Sequence, residues 1–190
     1  MKIGILSVQG AFIEQEQRLT ELGADCIQLR KAEDLEEPID GLVLPGGEST
    51  VQGKLLSELF MLEPLKKKIL DGLPVFATCA GLILLARTIE GGEKSYFETL
   101  PVTVKRNAYG RQLGSFYAEE ECKGIGRIPM TFIRAPYIVS ADEDVDVLAK
   151  VEERIVAVKY GNQLAMAFHP ELDSDLRLHR MFIKIIEENL

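Results

Sequence analysis

The sequence lacks any apolar run long enough to cross a membrane, and it lacks an excess of basic residues. Its 190 residues include 30 Asp and Glu but only 22 Lys and Arg, which gives a net charge of −8. Binding to nucleic acid depends on basic side chains that neutralise phosphates, so this charge balance argues against it. A membrane span needs roughly 18 apolar residues, and an export signal needs a charged segment before a shorter apolar one. Because neither pattern is present, we expect a cytoplasmic protein that binds neither nucleic acid nor membranes.

Cysteine and histidine are also scarce. The three cysteines, Cys26, Cys79 and Cys122, are odd in number and far apart in a chain long enough to fold without disulfides. The two histidines, His169 and His179, are not accompanied by a CxxC or HExxH motif. This set offers too few ligands for zinc. We therefore expect reduced thiols and no metal site.

The first half of the sequence alternates short apolar runs with helical patterns. The runs predict strands at Lys2–Val8, Ala24–Leu29, Gly41–Leu44 and Pro74–Thr78, and the patterns predict helices at Gly10–Leu22, Val51–Leu62 and between Pro64 and Gly72. Gly23 is expected to end the first helix. Strands that are apolar throughout are typical of a mostly parallel sheet with helices on both faces. We expect an α/β fold in a single domain, residues 1–190.

The second half has a different pattern, with few helical signals between strands. Apolar runs predict strands at Val102–Lys105, Ile128–Phe132, Ile155–Tyr160 and Leu164–Phe168. This indicates a small antiparallel or mixed extension of the sheet. A last helix is predicted after Asp173 and Ser174, either of which could cap it, because apolar residues then recur at helical spacing. Those residues are Leu178, Met181, Phe182, Ile185 and Ile186.

One candidate nucleophile lies where a buried strand runs into an apolar helix. Small residues surround Cys79 at Ala77, Ala80 and Gly81, which permits the sharp turn of a nucleophile elbow. A thiol at a helix N-terminus lies in the positive end of the helix dipole, which favours the thiolate. The segment alone fits equally well with a buried core thiol.

A candidate base follows another apolar strand, in the segment His169-Pro170-Glu171. In extended chain, residues two apart point to the same side, so Glu171 can orient the His169 imidazole. Such an imidazole is the base that a thiol nucleophile needs. By itself this spacing is common and is more often structural. His179 is expected to be a solvated residue of the last helix.

A glycine pair, Gly46-Gly47, lies between a predicted strand and a predicted helix. A phosphate loop is disfavoured, because five residues rather than four separate Gly47 from Gly53, and Leu55 stands where Ser or Thr is required. Adjacent glycines can instead turn a backbone N–H toward a ligand and so contribute to an oxyanion hole. The pair could also be only a turn.

Together these segments resemble the class I (triad) glutamine amidotransferases, which have a flavodoxin-like fold. Within that class the sequence resembles the glutaminase subunits of pyridoxal 5'-phosphate synthase, over almost its full length. The motifs are SVQGA at 7–11, PGGEST at 45–50, FATCAGLILLA at 76–86, RNAYGRQ at 106–112, FIRAPYI at 132–138 and FHPEL at 168–172. One departure is Val51, where the family often has a second threonine.

The resemblance implies a role for each matching residue. Cys79 would be the nucleophile, His169 the general base and acid, and Glu171 its orienting partner. Gly47 and Ala80 would supply oxyanion N–H groups. Glutamine would be bound by Gly46, Gly47, Glu48, Arg106, Ile133 and Arg134. A guanidinium such as that of Arg106 suits a carboxylate because it can donate two hydrogen bonds.

The resemblance also implies hydrolysis of L-glutamine to glutamate and ammonia without a cofactor. The ammonia would pass to a (β/α)₈-barrel synthase subunit that makes pyridoxal 5'-phosphate, and Gln9 and Gly10 could couple the docking of that partner to the oxyanion turn. One alternative is a glutaminase subunit serving histidine or purine synthesis, against which RNAYGRQ argues. Another is a non-catalytic binding or redox-sensing module, in which His169 and Glu171 would need no fixed geometry relative to Cys79.

Overall fold

The computed structural model of the protein describes residues 1–107 and 114–190. Within these ranges, twelve strands form one sheet, and helices pack against it. The strands are β1 (Lys2–Leu6), β2 (Asp25–Leu29), β3 (Gly41–Leu44), β4 (Val75–Thr78), β5 (Ala86–Ile89), β6 (Leu100–Lys105), β7 (Ser115–Cys122), β8 (Gly126–Ile133), β9 (Tyr137–Ala141), β10 (Asp146–Val151), β11 (Arg154–Tyr160) and β12 (Gln163–Met166). The α-helices are α1 (Phe12–Glu21), α2 (Ser49–Glu58), α3 (Leu62–Leu70), α4 (Ala80–Leu85) and α5 (Arg177–Glu187), and 3-10 turns lie at Ala32–Glu36 and Pro170–Leu172.

The parallel half of the sheet has the strand order β2-β1-β3-β4-β12. Strands β3, β4 and β12 are buried along their whole length, as their continuous apolar sequences predict. The chain goes from β1 outward to β2 and then returns to β3 on the other side of β1. Such a reversal opens a crevice at the carboxyl ends of the strands, which is where open α/β sheets bind ligands.

The other half of the sheet is mainly antiparallel and begins with β11 beside β12. Strands β10, β7 and β8 continue from β11, while β9, β6 and β5 form a branch. The predicted combination of a parallel sheet with an antiparallel extension is confirmed. The extension has more strands than predicted, because β5, β7, β9 and β10 were not recognised in the sequence. In β7, for example, the acidic run Glu119–Glu121 is exposed, and the strand is held by its long pairing with β8.

Helix α5 packs its apolar face against the parallel sheet, as its sequence predicts. The Phe182 ring in α5 lies 5.3 Å from the Phe76 ring in β4, centroid to centroid. The buried hydrophobic residues of both halves of the sheet form one cluster. This shared core fixes the carboxyl ends of the strands relative to each other.

Three predicted helix boundaries are wrong. Asp173 and Ser174 do not cap α5; its first turn follows Leu176, and the Asp175 carboxylate accepts the Arg177 N–H at 2.9 Å. The helix predicted at Val51–Leu62 ends at Glu58, and α3 begins at Leu62, before rather than after Pro64. Proline is tolerated in a first helical turn because the N–H it lacks would have no partner there. The ending of α1 at Gly23 is confirmed: Gly23 has φ +83° and donates its N–H to the Thr20 carbonyl.

Candidate active site

Three strand ends at the carboxyl edge of the parallel sheet bring the candidate residues together. Gly46 follows β3, Cys79 follows β4, and His169 follows β12. The strands are in register there, since Leu44 lies beside Ala77 and Thr78 beside Met166. These groups are far apart in the sequence, and the pairing of the strands brings them to one edge of the sheet.

Cys79 has a strained backbone, with φ 48° and ψ −98°. Its N–H donates to the Met166 carbonyl at 2.8 Å, which holds the turn between β4 and α4. A Cβ atom on Gly81 would lie 2.1 Å from the Leu44 carbonyl oxygen, so the helix can approach β3 only with glycine there. Ala80 begins α4, and an N–H in the first turn of a helix has no acceptor within that helix.

His169 and Glu171 are buried and hydrogen-bonded to each other. The His169 Nδ1–H donates to the Glu171 Oε1 atom at 2.7 Å, and the two residues are 7% and 2% exposed. The expected extended chain is wrong here, because β12 ends at Met166 and Glu171 lies in the 3-10 turn Pro170–Leu172. It is this turn, rather than the alternation of a strand, that brings the carboxylate to the imidazole.

The electrostatics of the site favour a protonated imidazole at His169. Burial lowers its pKa, but hydrogen bonds to Cys79 and Glu171 and the negative charges of both groups outweigh burial and raise the pKa to about 10. Since Nδ1 is directed to Glu171, Nε2 is the ring nitrogen that remains available on the side of the cleft. A protonated imidazole is the state that can deliver a proton to a leaving amine.

Backbone and side-chain hydrogen bonds hold the glycine turn beside this pair. The Gly46 N–H donates to the Thr78 hydroxyl oxygen at 3.0 Å, and the Glu48 N–H donates to the Gln9 Oε1 atom at 2.9 Å. A Cβ atom on Gly46 would lie 2.3 Å from the Cε1 atom of His169. The imidazole thus packs directly on the turn, which requires glycine at this position.

A cleft of about 150 Å³ opens over these groups. Seven of the residues proposed from the sequence line it: Gly47, Glu48, Cys79, Arg106, Ile133, Arg134 and His169. Gly46, Ala80 and Glu171 are not among the described residues that line the cleft. Gln9 also lines the cleft, together with Ser49, Ile83 and Asn107, which the sequence did not single out.

Charged side chains at the cleft pair with each other. The Arg106 guanidinium lies 2.5 Å from the Glu93 carboxylate, and Arg134 lies 3.2 Å from Glu48. The Ile133 carbonyl oxygen lies 4.0 Å from the Cys79 sulfur. Of the motif RNAYGRQ, the segment 108–112 lies outside the described residues.

Comparison with known proteins shows the family of this chain. The model of the SNO glutamine amidotransferase family matches residues 5–188. The chain belongs to this family. It is 60% identical to the pyridoxal 5'-phosphate synthase subunit PdxT of Desulfitobacterium hafniense strain DSM 10664 / DCB-2, over 98% of this chain and 94% of that protein. It is 54% identical to PdxT of Streptococcus pneumoniae strain CGSP14, over 99% and 98%.

Solved structures extend the comparison to the fold of this glutamine amidotransferase. A crystal structure described as a glutamine amidotransferase superposes with a TM-score of 0.93 at 42% identity, covering 97% of this chain and 98% of that one. A glutamine amidotransferase from Thermotoga maritima superposes with a TM-score of 0.65 at 16% identity, covering 100% and 85%, and shows the fold alone. The flavodoxin-like amidotransferase fold expected from the sequence is confirmed.

The prediction for His179 is wrong, because this amidotransferase buries it completely. Its Nε2–H donates to the Gln15 Oε1 atom at 3.0 Å, and burial lowers its pKa to about 4. Gln15 and Thr78 are also fully buried and had not been singled out. A signal was present for Gln15, which lies four residues before Leu19 and so on the core-facing side of α1.

The remaining features of this glutamine amidotransferase concern thiols, metals and membranes. All three cysteines are in the described ranges, and none forms a disulfide. Burial raises the pKa of Cys26, and it raises that of Cys122 to about 11. Residues 1–107 and 114–190 contain no cluster of His, Cys, Asp and Glu that could hold a metal ion. In the same ranges, no helix is both long and apolar enough to span a membrane.

Proposed function

We propose that Cys79, His169 and Glu171 are the catalytic triad with which this chain hydrolyses L-glutamine. The chain is a glutaminase that releases ammonia for the synthesis of pyridoxal 5'-phosphate. The observation that supports the triad best is the buried hydrogen bond between His169 and Glu171, 2.7 Å long, with Cys79 and His169 lining the same cleft at the carboxyl edge of the sheet. A redox-sensing module would need no such pairing beside the thiol, so this observation also disfavours that alternative.

The reaction begins with attack of the Cys79 thiolate on the side-chain carbonyl carbon of glutamine. The protonated His169 donates its Nε2 proton to the amide nitrogen, the C–N bond breaks, and ammonia leaves. A glutamyl thioester remains on Cys79. His169, now neutral, takes a proton from water, whose oxygen attacks the thioester and releases glutamate and the thiolate. Glu171 holds the imidazole and stabilises its charge in both steps.

The oxyanion formed in each step needs backbone donors, and we assign these to Gly47 and Ala80. Ala80 suits the role because the N–H at the start of α4 is not used within the helix. Removing one such donor typically slows an enzyme by roughly 100- to 1000-fold.

We assign glutamine binding to six residues: Gly46, Gly47, Glu48, Arg106, Ile133 and Arg134. Arg106 and Arg134 pair with Glu93 and Glu48, and these ion pairs are partly exposed. Exposed ion pairs contribute only about 0–1 kcal/mol, so a bound substrate can replace them at little cost. The α-carboxylate of glutamine would take the position of Glu93 on Arg106.

The proposed partner is a (β/α)₈-barrel synthase subunit, and the proposed location of both is the cytoplasm. The chain would act as one domain, residues 1–190, without a cofactor. Gln9 supports a coupling role for the loop after β1, because it accepts the Glu48 N–H next to the proposed oxyanion donor Gly47. Docking of the barrel on this loop would either release or fix the peptide group between Gly47 and Glu48.

The test is ammonia release by the purified chain, with and without the barrel subunit. We expect the partner to raise the rate for the wild-type chain and Cys79→Ala to abolish it. Cys26→Ala is the matched control, because Cys26 lies in β2 and does not line the cleft. Equal rates for wild type and Cys79→Ala with the partner present would refute the proposal.

A further inference from the structure

A series of buried polar groups continues beyond Glu171 into the protein interior. The Gln15 Nε2 atom donates to the Glu171 Oε2 atom at 2.9 Å, on the oxygen that His169 does not use. The Gln15 Oε1 atom accepts the His179 Nε2–H at 3.0 Å. Gln15 and His179 are both 0% exposed, and neither lines the cleft. Buried polar groups of this kind are costly unless they are paired, so their place in the fold requires an explanation.

The chemistry of the partners fixes the direction of each hydrogen bond. A carboxylate can only accept, so the amide nitrogen of Gln15 must face Glu171 and its oxygen must face His179. His179 must then carry its proton on Nε2. Its Nδ1 atom is buried and has no hydrogen-bond partner among the described residues, so a proton there would be a buried donor without an acceptor. Flipping the Gln15 amide would place its oxygen against the Glu171 carboxylate and its NH₂ group against the His179 N–H. The other tautomer of His179 would place two acceptors, its Nε2 and the Gln15 Oε1 atom, against each other.

Gln15 also reaches the glycine turn. Its Nε2 atom lies 3.4 Å from the Thr78 hydroxyl oxygen, which accepts the Gly46 N–H at 3.0 Å. One amide group therefore contacts both the triad carboxylate and the residue that anchors the turn after β3. Arg18 adds a bond from the same helix, since its Nε–H donates to the Glu171 carbonyl at 3.1 Å.

We propose that Gln15, oriented by His179, is a positioning residue that holds the Glu171 carboxylate on His169 and, through Thr78, the Gly46 turn. The inference rests on the proposed triad. Gln15 and His179 touch neither substrate nor the reacting atoms, so they act on the rate of the chemical step and not on the binding of glutamine.

The test compares Gln15→Leu with Gln163→Leu, in the full chain with the barrel subunit present. Gln163 is a matched control, because it is also a buried glutamine with two hydrogen bonds, but both go to Thr99, and its strand position lies beside Val75, at the opposite end of β4 from Cys79. We expect Gln15→Leu to lower kcat by about 10- to 100-fold, with KM for glutamine changed by less than about threefold. We expect Gln163→Leu to keep the wild-type kcat.

A second pair of variants tests the His179 end without removing its ring. His179→Phe keeps the contact with the Phe76 ring, 5.0 Å away between centroids, but removes the N–H. His179→Gln restores a donor. We expect His179→Phe to lower kcat by about tenfold and His179→Gln to recover most of it, because only the donor orients Gln15. This pair of variants still tests the positioning role of Gln15 if Gln15→Leu does not fold.

The outcomes separate this inference from the proposed function. If Cys79→Ala were as active as wild type, the triad itself would be wrong. If Cys79→Ala were inactive while Gln15→Leu kept the wild-type kcat, or while the two His179 variants had equal kcat, the positioning role would be overturned. Nitrogen-detected imidazole NMR gives an independent measurement, since the chain has two histidines. A His179 protonated on Nδ1 at neutral pH would also overturn the assigned orientation.

Discussion

Replacing Glu171 by glutamine changes one atom of the triad and tests its electrostatics directly. Glu171 accepts on both oxygens, from His169 at 2.7 Å and from Gln15 at 2.9 Å. A glutamine at 171 has one acceptor, so either His169 or Gln15 must face an NH₂ group. A hydrogen bond to a charged group is worth about 1.5–3 kcal/mol. Since about 1.4 kcal/mol corresponds to a factor of ten, we expect Glu171→Gln to lower kcat by roughly 10- to 100-fold.

The same variant has a predicted effect on pH dependence. The hydrogen bond and charge of Glu171 are among the interactions that raise the pKa of His169 from 6.5 to about 10. Without them the imidazolium loses its proton at lower pH, so the alkaline limb of the kcat profile should move toward neutral pH. Because Glu171 does not line the cleft, KM should change much less than kcat.

Steady-state ammonia release between pH 6 and 10 with the barrel subunit, together with imidazole NMR of His169, would measure both effects. Glu119→Gln, at an exposed position in β7, is the matched control. An unchanged alkaline limb and an unchanged titration of His169 in Glu171→Gln would refute the reasoning.

Three further predictions concern other residues. Iodoacetamide at neutral pH should alkylate Cys79 before Cys122, because burial raises the pKa of Cys122 to about 11; peptide mass spectrometry showing Cys122 modified first would contradict this. Glu93→Gln should lower KM for glutamine by a few-fold, within the roughly 1 kcal/mol of an exposed ion pair, because it frees Arg106; an unchanged KM would mean that the ion pair does not compete with substrate. His179 has a folded-state pKa of about 4, below the ordinary 6.5, so it contributes stability above pH 6.5 that is lost as the pH falls toward 4. His179→Phe should flatten the acid side of the urea-unfolding profile by up to about 1.4 kcal/mol per pH unit, and an unchanged slope would show that His179 is not buried in its neutral form.

The amino-acid sequence by itself determined the parallel half of the fold and the identity of the chemical groups. Strands such as Gly41–Leu44 are apolar along their whole length, which only a sheet covered on both faces can bury. Local signals also predicted the turn at Cys79, because the small residues around it let the strand and the helix approach closely. The antiparallel strands were harder to recognise, since a strand such as β7 is held by its partner and not by its own burial.

Only the tertiary structure decided which polar residues belong to the site and how they are joined. The sequence suggested that His169 and Glu171 share a side of a strand, whereas a 3-10 turn brings them together. It predicted a solvated His179, because a histidine on an amphipathic helix looks the same whether it faces water or a buried glutamine. Gln15 and His179 are 164 positions apart, and they meet at 3.0 Å because α1 and α5 pack near the same strand ends. A hydrogen bond between distant segments depends on packing that no local pattern encodes, and here that packing connects the nucleophile region to the protein interior.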